Sequence, residues 1–201
     1  MRVIAVCGSS GSGKSALCFS FSKFLQKRGV SCAVANFDPA AKRLPYGAGL
    51  DLRKSFPSRA FSKKAGGNQE RACEMALLAA LEDKGVWREL RALGTGVVLL
   101  DLRAPLDSLL MLAGKGVLAH ADTVLYVADA SRVDDYPLFE KTCSLLSTAC
   151  ERQVLPVLNK TDSVKRLKST LFAPSREKPE AIAFISAIER RGFDELARLI
   201  A

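Results

Sequence analysis

The chain has 201 residues, of which 48% are apolar and 25% charged, with a formal charge of +9. This suits one domain with a substantial core, and no apolar run approaches the roughly 18–20 residues that cross a bilayer. The positive balance favours anionic partners such as nucleotides, nucleic acid or an acidic protein surface, without choosing among them. No aromatic RNA-binding signature accompanies it, so nucleic acid is not the favoured partner. The N-terminal apolar stretch is too short for a signal peptide and runs into a glycine loop. Six cysteines, Cys7, Cys18, Cys32, Cys73, Cys143 and Cys150, form no CxxC pair, and His120 is the single histidine. A zinc site has little support, and reduced, buried thiols in a cytoplasmic protein are expected.

In chain order the pattern alternates strand and helix. "RVIAVCG" (Arg2–Gly8) reads as a buried strand, followed by a glycine-rich loop. A helix from Gly13 to about Lys27 repeats Leu17, Phe21, Phe24 and Leu25 at helical spacing and stops at Arg28-Gly29. "SCAVANF" is a second strand. Residues Ala40 to Gly67 are irregular, with Pro45, Gly47, Gly49 and Pro57 and seven Lys or Arg between Lys42 and Lys64. A long loop with one short helix is expected there, and such loops tend to be functional. A helix over Gln69–Glu82 follows. "GVVLLD", "TVLYVAD" (Thr123–Asp129), "RQVLPVLN" (Arg152–Asn159) and "AIAFIS" (Ala181–Ser186) complete the strands, with helices near Tyr136–Cys150 and from Phe193. The fold class is α/β, a mostly parallel β-sheet with helices on both faces, in a single domain spanning 1–201 with a loop insertion at about 40–70.

"GSSGSGKS", Gly8 to Ser15, matches GxxxxGK[ST] between a predicted strand and a predicted helix. Glycines let backbone N–H groups turn toward phosphate oxygens, and the helix N-terminus adds a favourable dipole. Gly11, Ser12, Gly13, Lys14, Ser15 and Ala16 are thus candidate phosphate contacts. Lys14 can reach the β and γ phosphates, and the Ser15 hydroxyl can bind Mg²⁺. Asp101 ends an apolar strand where a Walker-B carboxylate would hold Mg²⁺ or its water; Asp129 ends another strand and competes for that role. "NKTD", Asn159 to Asp162, follows the fifth strand, and Ser186-Ala187 ends the sixth. The Asp162 carboxylate can accept from guanine N1–H and N2–H together, donors that adenine lacks. Asn159, Lys160, Asp162, Ser186 and Ala187 are candidate base contacts, and GTP or GDP with Mg²⁺ is the expected ligand.

With these motifs and "NFDPAAKRLPYGAGLDLR" (Asn36–Arg53), the chain resembles the GPN-loop GTPases, in the signal-recognition and MinD-like branch of P-loop proteins. The stretch is similar to that family's Asn-Leu-Asp-Pro-Ala, Leu-Pro-Tyr and Asp-x-Arg pattern. The family's Gly-Pro-Asn loop falls at Gly66-Gly67-Asn68, with Gly67 in place of proline. The resemblance implies a P-loop NTPase three-layer sandwich and GTP hydrolysis. It also implies a homodimer, and an assembly role with a protein partner, assembly of RNA polymerase among the family's links. On this mapping Asn68 would act in trans near the γ-phosphate, and Asp38 would lie beside the attacking water. The alternatives from local chemistry are a turn cap for Asp38 and a helix cap for Asn68.

After the third strand the family shows Asp-Thr-Pro-Gly-Gln-x-Glu, whereas this chain has Leu102, Arg103, Ala104, Pro105, Leu106 and Asp107 after Asp101. Ala104 stands for the switch glycine, Pro105 offers neither an N–H nor a polar side chain, and Asp107 keeps a carboxylate. Nucleotide binding with slow or altered hydrolysis is therefore expected, and a catalytically weak nucleotide-binding scaffold is the alternative. Arg103 and Arg53 are candidates for compensating charge near the phosphates, with a solvent-facing charged loop the favoured role for Arg103.

Overall fold

The computed structural model describes residues 1–103, 118–133, 136–164 and 182–201. Seven strands form one sheet in the order β3-β2-β4-β1-β5-β6-β7, and all their pairings are parallel. The strands are β1 (Arg2–Gly8), β2 (Cys32–Phe37), β3 (Leu50–Asp51), β4 (Val97–Leu102), β5 (Thr123–Asp129), β6 (Val154–Asn159) and β7 (Ala183–Phe184). The described helices are α1 (Lys14–Lys27), α2 (Leu52–Ser55), α3 (Gln69–Glu82), α4 (Lys84–Ala92), α5 (Tyr136–Cys150) and α6 (Phe193–Leu199). β5 and β6 are buried along their whole lengths. That is why they read as unbroken apolar runs rather than as alternating patterns.

Two cores lie on opposite faces of the sheet. Alternation along β1 sends Ile4 and Val6 to one face and Val3, Ala5 and Cys7 to the other. The first face packs Leu17, Phe21 and Leu25 of α1 with Phe193 and Leu196 of α6. Phe21, Phe24 and Phe193 form an aromatic group with centroids 5.4–5.8 Å apart. Arg28 lies 4.4 Å over the Phe24 ring and pairs with Asp194. Full burial of Phe21 and Phe193 is worth about 1.5–3 kcal/mol each. The second face packs α3, α4 and α5 through Leu77, Leu81, Trp87, Leu90 and Leu146. All six cysteines are buried and free, and burial pushes the Cys32 and Cys143 thiols up to about 12.

Several boundaries differ from the sequence reading. The strand expected from Arg152 begins at Val154, and the one expected over Ala181–Ser186 is only Ala183–Phe184 among the described residues. α4 was not anticipated, because its apolar stripe of Val86, Trp87 and Leu90 spans fewer than two turns. The 40–70 region is more ordered than a loop. It adds β3 to the sheet edge, then α2 and a 3₁₀ turn at Ser58–Phe61.

A polar network fixes that insertion. Asn36 on β2 donates from Nδ2 to Asp51 Oδ1 at 2.8 Å, and Arg53 binds both Asp51 oxygens through Nε and Nη2. Arg53 Nη1 also donates to the Ala41 carbonyl at 3.0 Å, closing the insertion on itself. Chiefly through the Arg53 hydrogen bonds, the Asp51 carboxyl is lowered from 3.8 to about 2. A carboxylate held charged by the fold contributes fully above its unfolded value and loses that contribution as pH falls through its folded value. The shift corresponds to about 2 kcal/mol. Asp51→Asn should therefore lower urea-unfolding stability by about 2 kcal/mol at pH 7, and the gap from the parent should close by a pH of about 2. An equal gap at both pH values would show that the network does not depend on the charge.

Candidate functional site

The carboxyl ends of the strands bring the sequence motifs to one edge of the sheet. Register pairs Asn36 with Asp51, Asn36 with Asp101, and Asp129 with Asn159, so these polar residues stand in rows across neighbouring strand ends. Parallel α/β sheets bind ligands at this edge. A cleft of about 440 Å³ opens there, lined by the loop from Gly8 to Ala16 together with Asp38, Glu70, Asp101 and Arg103.

The loop's conformation depends on glycine. Gly8 and Gly13 have φ of +131° and +89°. A Cβ on Gly8 would run into the Val127 carbonyl, and one on Gly13 would meet the Asn159 amide. Gly13 starts α1 without a side-chain cap, which leaves the helix's first N–H groups to an anion. Lys14 arches back over the loop, its Nζ donating to the carbonyls of Gly8 and Ser9 at 3.0 and 2.9 Å. Burial lowers the Lys14 ammonium from its ordinary value, with Asp101 as the strongest opposing charge.

Asp101 is buried, and its Oδ2 accepts from the Tyr46 hydroxyl at 2.6 Å. The insertion's Leu-Pro-Tyr segment thus reaches Asp101, a contact that its sequence alone does not reveal. Burial, then the Asp101 charge and this bond, push the Tyr46 hydroxyl far up, so it stays a donor. Ser15 and Asp101 line the same cleft. Among the described residues no cluster of three His, Cys, Asp or Glu side chains could hold a metal. Mg²⁺ does not need one, since it takes one or two protein oxygens and completes its shell with phosphate and water. The oxygen pair of Ser15 and Asp101 fits that ion.

Asp129 is engaged by other partners and does not line this cleft. Its Oδ2 accepts from Lys160 Nζ at 2.7 Å and its Oδ1 from the Ser131 N–H and hydroxyl. Burial works against its charge, but these hydrogen bonds outweigh it and hold the carboxyl below its ordinary value. Asp38 behaves in part as a turn cap. Its Oδ1 accepts from Ala40 N–H at 2.9 Å and lies 4.0 Å from Arg103 Nη1. Burial raises the Asp38 carboxyl, with the Ala40 bond and Arg103 opposing. Arg103 therefore enters the cleft, whereas Arg53 is committed to Asp51 and does not line it. Asn68 caps α3, accepting from Arg71 N–H at 3.0 Å, and is not among the residues lining the cleft of its own chain. Glu70, two residues on, lines the cleft and was missed; the visible signal was a lone acid directly after the Gly-Gly-Asn loop. Ala104, Pro105, Leu106 and Asp107 lie outside the described residues.

The Asn159–Asp162 segment is joined to the phosphate loop by one side chain. Asn159 Nδ2 donates to the Ser12 carbonyl at 2.9 Å, and its Oδ1 accepts from Ala187 N–H at 3.0 Å. Lys160 adopts a left-handed backbone, with φ of +64°. Ser186 donates to Asp162 Oδ1 at 2.5 Å, and this bond foremost holds the Asp162 carboxyl below its ordinary value. Asp162 is exposed, so its charged carboxylate is open to a ligand.

Residues 6–101 match a family model described as "Conserved hypothetical ATP binding protein". The apo form of a GTPase from Pyrococcus abyssi is similar at 19% identity and a TM-score of 0.80, covering 99% of this chain and 96% of that one. Cobyrinic acid a,c-diamide synthase from Mycobacterium smegmatis, solved with ADP and magnesium, matches at 20% identity and 0.55 over 100% and 92% of the two chains. The septum site-determining protein MinD from Pyrococcus horikoshii, complexed with Mg-ADP, matches at 13% and 0.55 over 99% and 94%. At these identities the likenesses establish a P-loop NTPase fold. The phosphate loop and the parallel sheet agree with that fold, and over residues 6–101 the chain is similar to the family that model describes.

Proposed function

We propose that this nucleotide-binding P-loop protein binds GTP with Mg²⁺ and hydrolyses it to GDP and phosphate, as a homodimeric switch in the cytoplasm that assists assembly of a larger protein complex. The observation that carries the base choice is the Asn159 bridge, which ties the phosphate loop to Ala187 while Ser186 orients the Asp162 carboxylate. A carboxylate so held accepts two donors from guanine and is left partly unpaired by adenine. The matched family's description names ATP; the Asp162 geometry favours guanine, and calorimetry with each nucleotide decides between them.

In this reading the backbone N–H groups from Gly11 to Ala16 hold the phosphates. Lys14 exchanges its bonds to the Gly8 and Ser9 carbonyls for bonds to the β and γ oxygens. Ser15 and Asp101 would hold Mg²⁺, which would neutralise charge on the phosphates. Water attacks the γ phosphorus, orients on Asp38, and the bond from that phosphorus to the bridging oxygen breaks. Arg103, beside Asp38, supplies positive charge where the transferred group becomes most anionic. Asn68 of each subunit reaches the other subunit's phosphates. The family resemblance supports an assembly partner, with assembly of RNA polymerase as the kind of process. Among the described residues no helix is long and apolar enough to cross a membrane.

A second reading, a guanine-nucleotide scaffold with little turnover, is favoured by Ala104 and Pro105 in the switch segment. Single-turnover kinetics separates the two. The parent should convert bound GTP to GDP, and Asp38→Ala should slow that step by about 10²-fold while leaving affinity within about threefold. Binding with no conversion in the parent would favour the scaffold.

Calorimetry with Mg²⁺ should show uptake of GTP and GDP and none of ATP at matched concentration. Asp162→Asn should lose guanine affinity by about 10²-fold and gain xanthine nucleotide, whose 2-carbonyl accepts from the new amide. Equal uptake of ATP and GTP by the parent would sink the base assignment.

A further inference from the structure

Three carboxylates line the phosphate cleft, Asp38, Glu70 and Asp101, and they are not equivalent. Asp101 is buried and accepts from Tyr46. Asp38 accepts from its own turn and faces Arg103. Glu70 makes no ion pair or side-chain hydrogen bond with any described residue. It projects from the first turn of α3, a 14-residue helix whose start is fixed by the Asn68 cap and by Gln69, whose Nε2 donates to Ser58 Oγ at 3.2 Å. A long, uncommitted carboxylate on a secured helix start thus reaches the wall that also carries Lys14 and Ser15.

The switch segment makes this position consequential. Pro105 stands where the resembled family has glutamine, so that residue can neither orient water nor accept its proton. Hydrolysis still requires a group that takes the proton of the attacking water as its oxygen bonds to phosphorus.

We infer that Glu70 is a catalytic residue of this chain, acting in cis as the proton acceptor for the attacking water, an inference that rests on the GTP-hydrolysing reading above. The water oxygen forms the new bond to the γ phosphorus while the bond to the bridging oxygen breaks and its electrons leave with GDP. The water proton passes to the Glu70 carboxylate and from there to the released phosphate. Asp38 then orients the water from the Arg103 side of the cleft, and Glu70 accepts from the α3 side. A purely structural role is also available to Glu70, since an acid in the first helical turn complements the helix dipole.

Glu70→Gln, Glu70→Asp and the parent should be compared by single-turnover GTP hydrolysis, GTP calorimetry and thermal melting. Aspartate suits the first helical turn as well as glutamate does but draws the carboxylate back by one methylene. The expected result is a loss of about 10²-fold in the hydrolysis step for Glu70→Gln and about 10-fold for Glu70→Asp, with GTP affinity within about threefold in both. A parent-like rate in Glu70→Gln would overturn the assignment while leaving the GTPase reading intact. So would a rate loss in Glu70→Gln that Glu70→Asp fully restores, because that pattern marks the helix dipole. A parent that binds GTP without hydrolysing it would overturn both this assignment and the hydrolytic reading, and a parent that binds no GTP would remove the guanine-nucleotide site itself.

Discussion

The Asn159 side chain is the constraint on which the site depends. It is almost fully buried, and its amide satisfies the Ser12 carbonyl on one side and the Ala187 N–H on the other. An unpaired amide in that position would cost about 1–3 kcal/mol, so the three segments are held in one arrangement. The phosphate loop after β1, the loop after β6 and the loop after β7 come from distant parts of the chain. A single side chain makes their geometry common, and Gly13 is required because any Cβ there would strike that same amide.

A second coupling runs through Tyr46. The insertion between β2 and β4 is anchored at its base by Asn36, Asp51 and Arg53, and at its tip by the Tyr46 hydroxyl on Asp101. Asp101 therefore joins the phosphate cleft to the insertion, and a change in what binds Asp101 bears directly on Tyr46. The same insertion leads through the Ser58–Phe61 turn to Asn68 and Glu70 at the start of α3. The Gly66-Gly67-Asn68 segment is thereby continuous with the cleft of its own chain. The insertion also carries most of the molecule's positive excess: seven Lys or Arg lie between Lys42 and Lys64, against Asp51 as its acid.

Much of the fold was legible because parallel strands buried on both faces leave long apolar runs. β1, β5 and the helices near Tyr136 and Phe193 were read in nearly their observed places. β3 was not, since two residues carry no periodicity and Leu50-Asp51 becomes a strand only by pairing with Ala35 and Asn36. The short β7 is the same case at the other edge. Arg53 was one of two candidates for charge near the phosphates, but a bidentate partner two residues away in sequence claimed it. Asp129 and Asp101 were alike as strand-ending acids, and only the Lys160 and Tyr46 contacts distinguished them.

By itself the sequence determined the chemistry brought to the site: a glycine loop with Lys14 and Ser15, a strand-end carboxylate at Asp101, and the Asp162 carboxylate after β6. These are local requirements, because backbone freedom, hydroxyl oxygen and carboxylate charge belong to residue types at fixed short spacings. The tertiary structure decided which acid lines the phosphate cleft and which is neutralised by a lysine, which arginine enters the cleft, and that Glu70 reaches its wall without an ion pair among the described residues. Those outcomes depend on contacts between residues tens of positions apart, and such contacts exist only once the sheet has set its strand order and register.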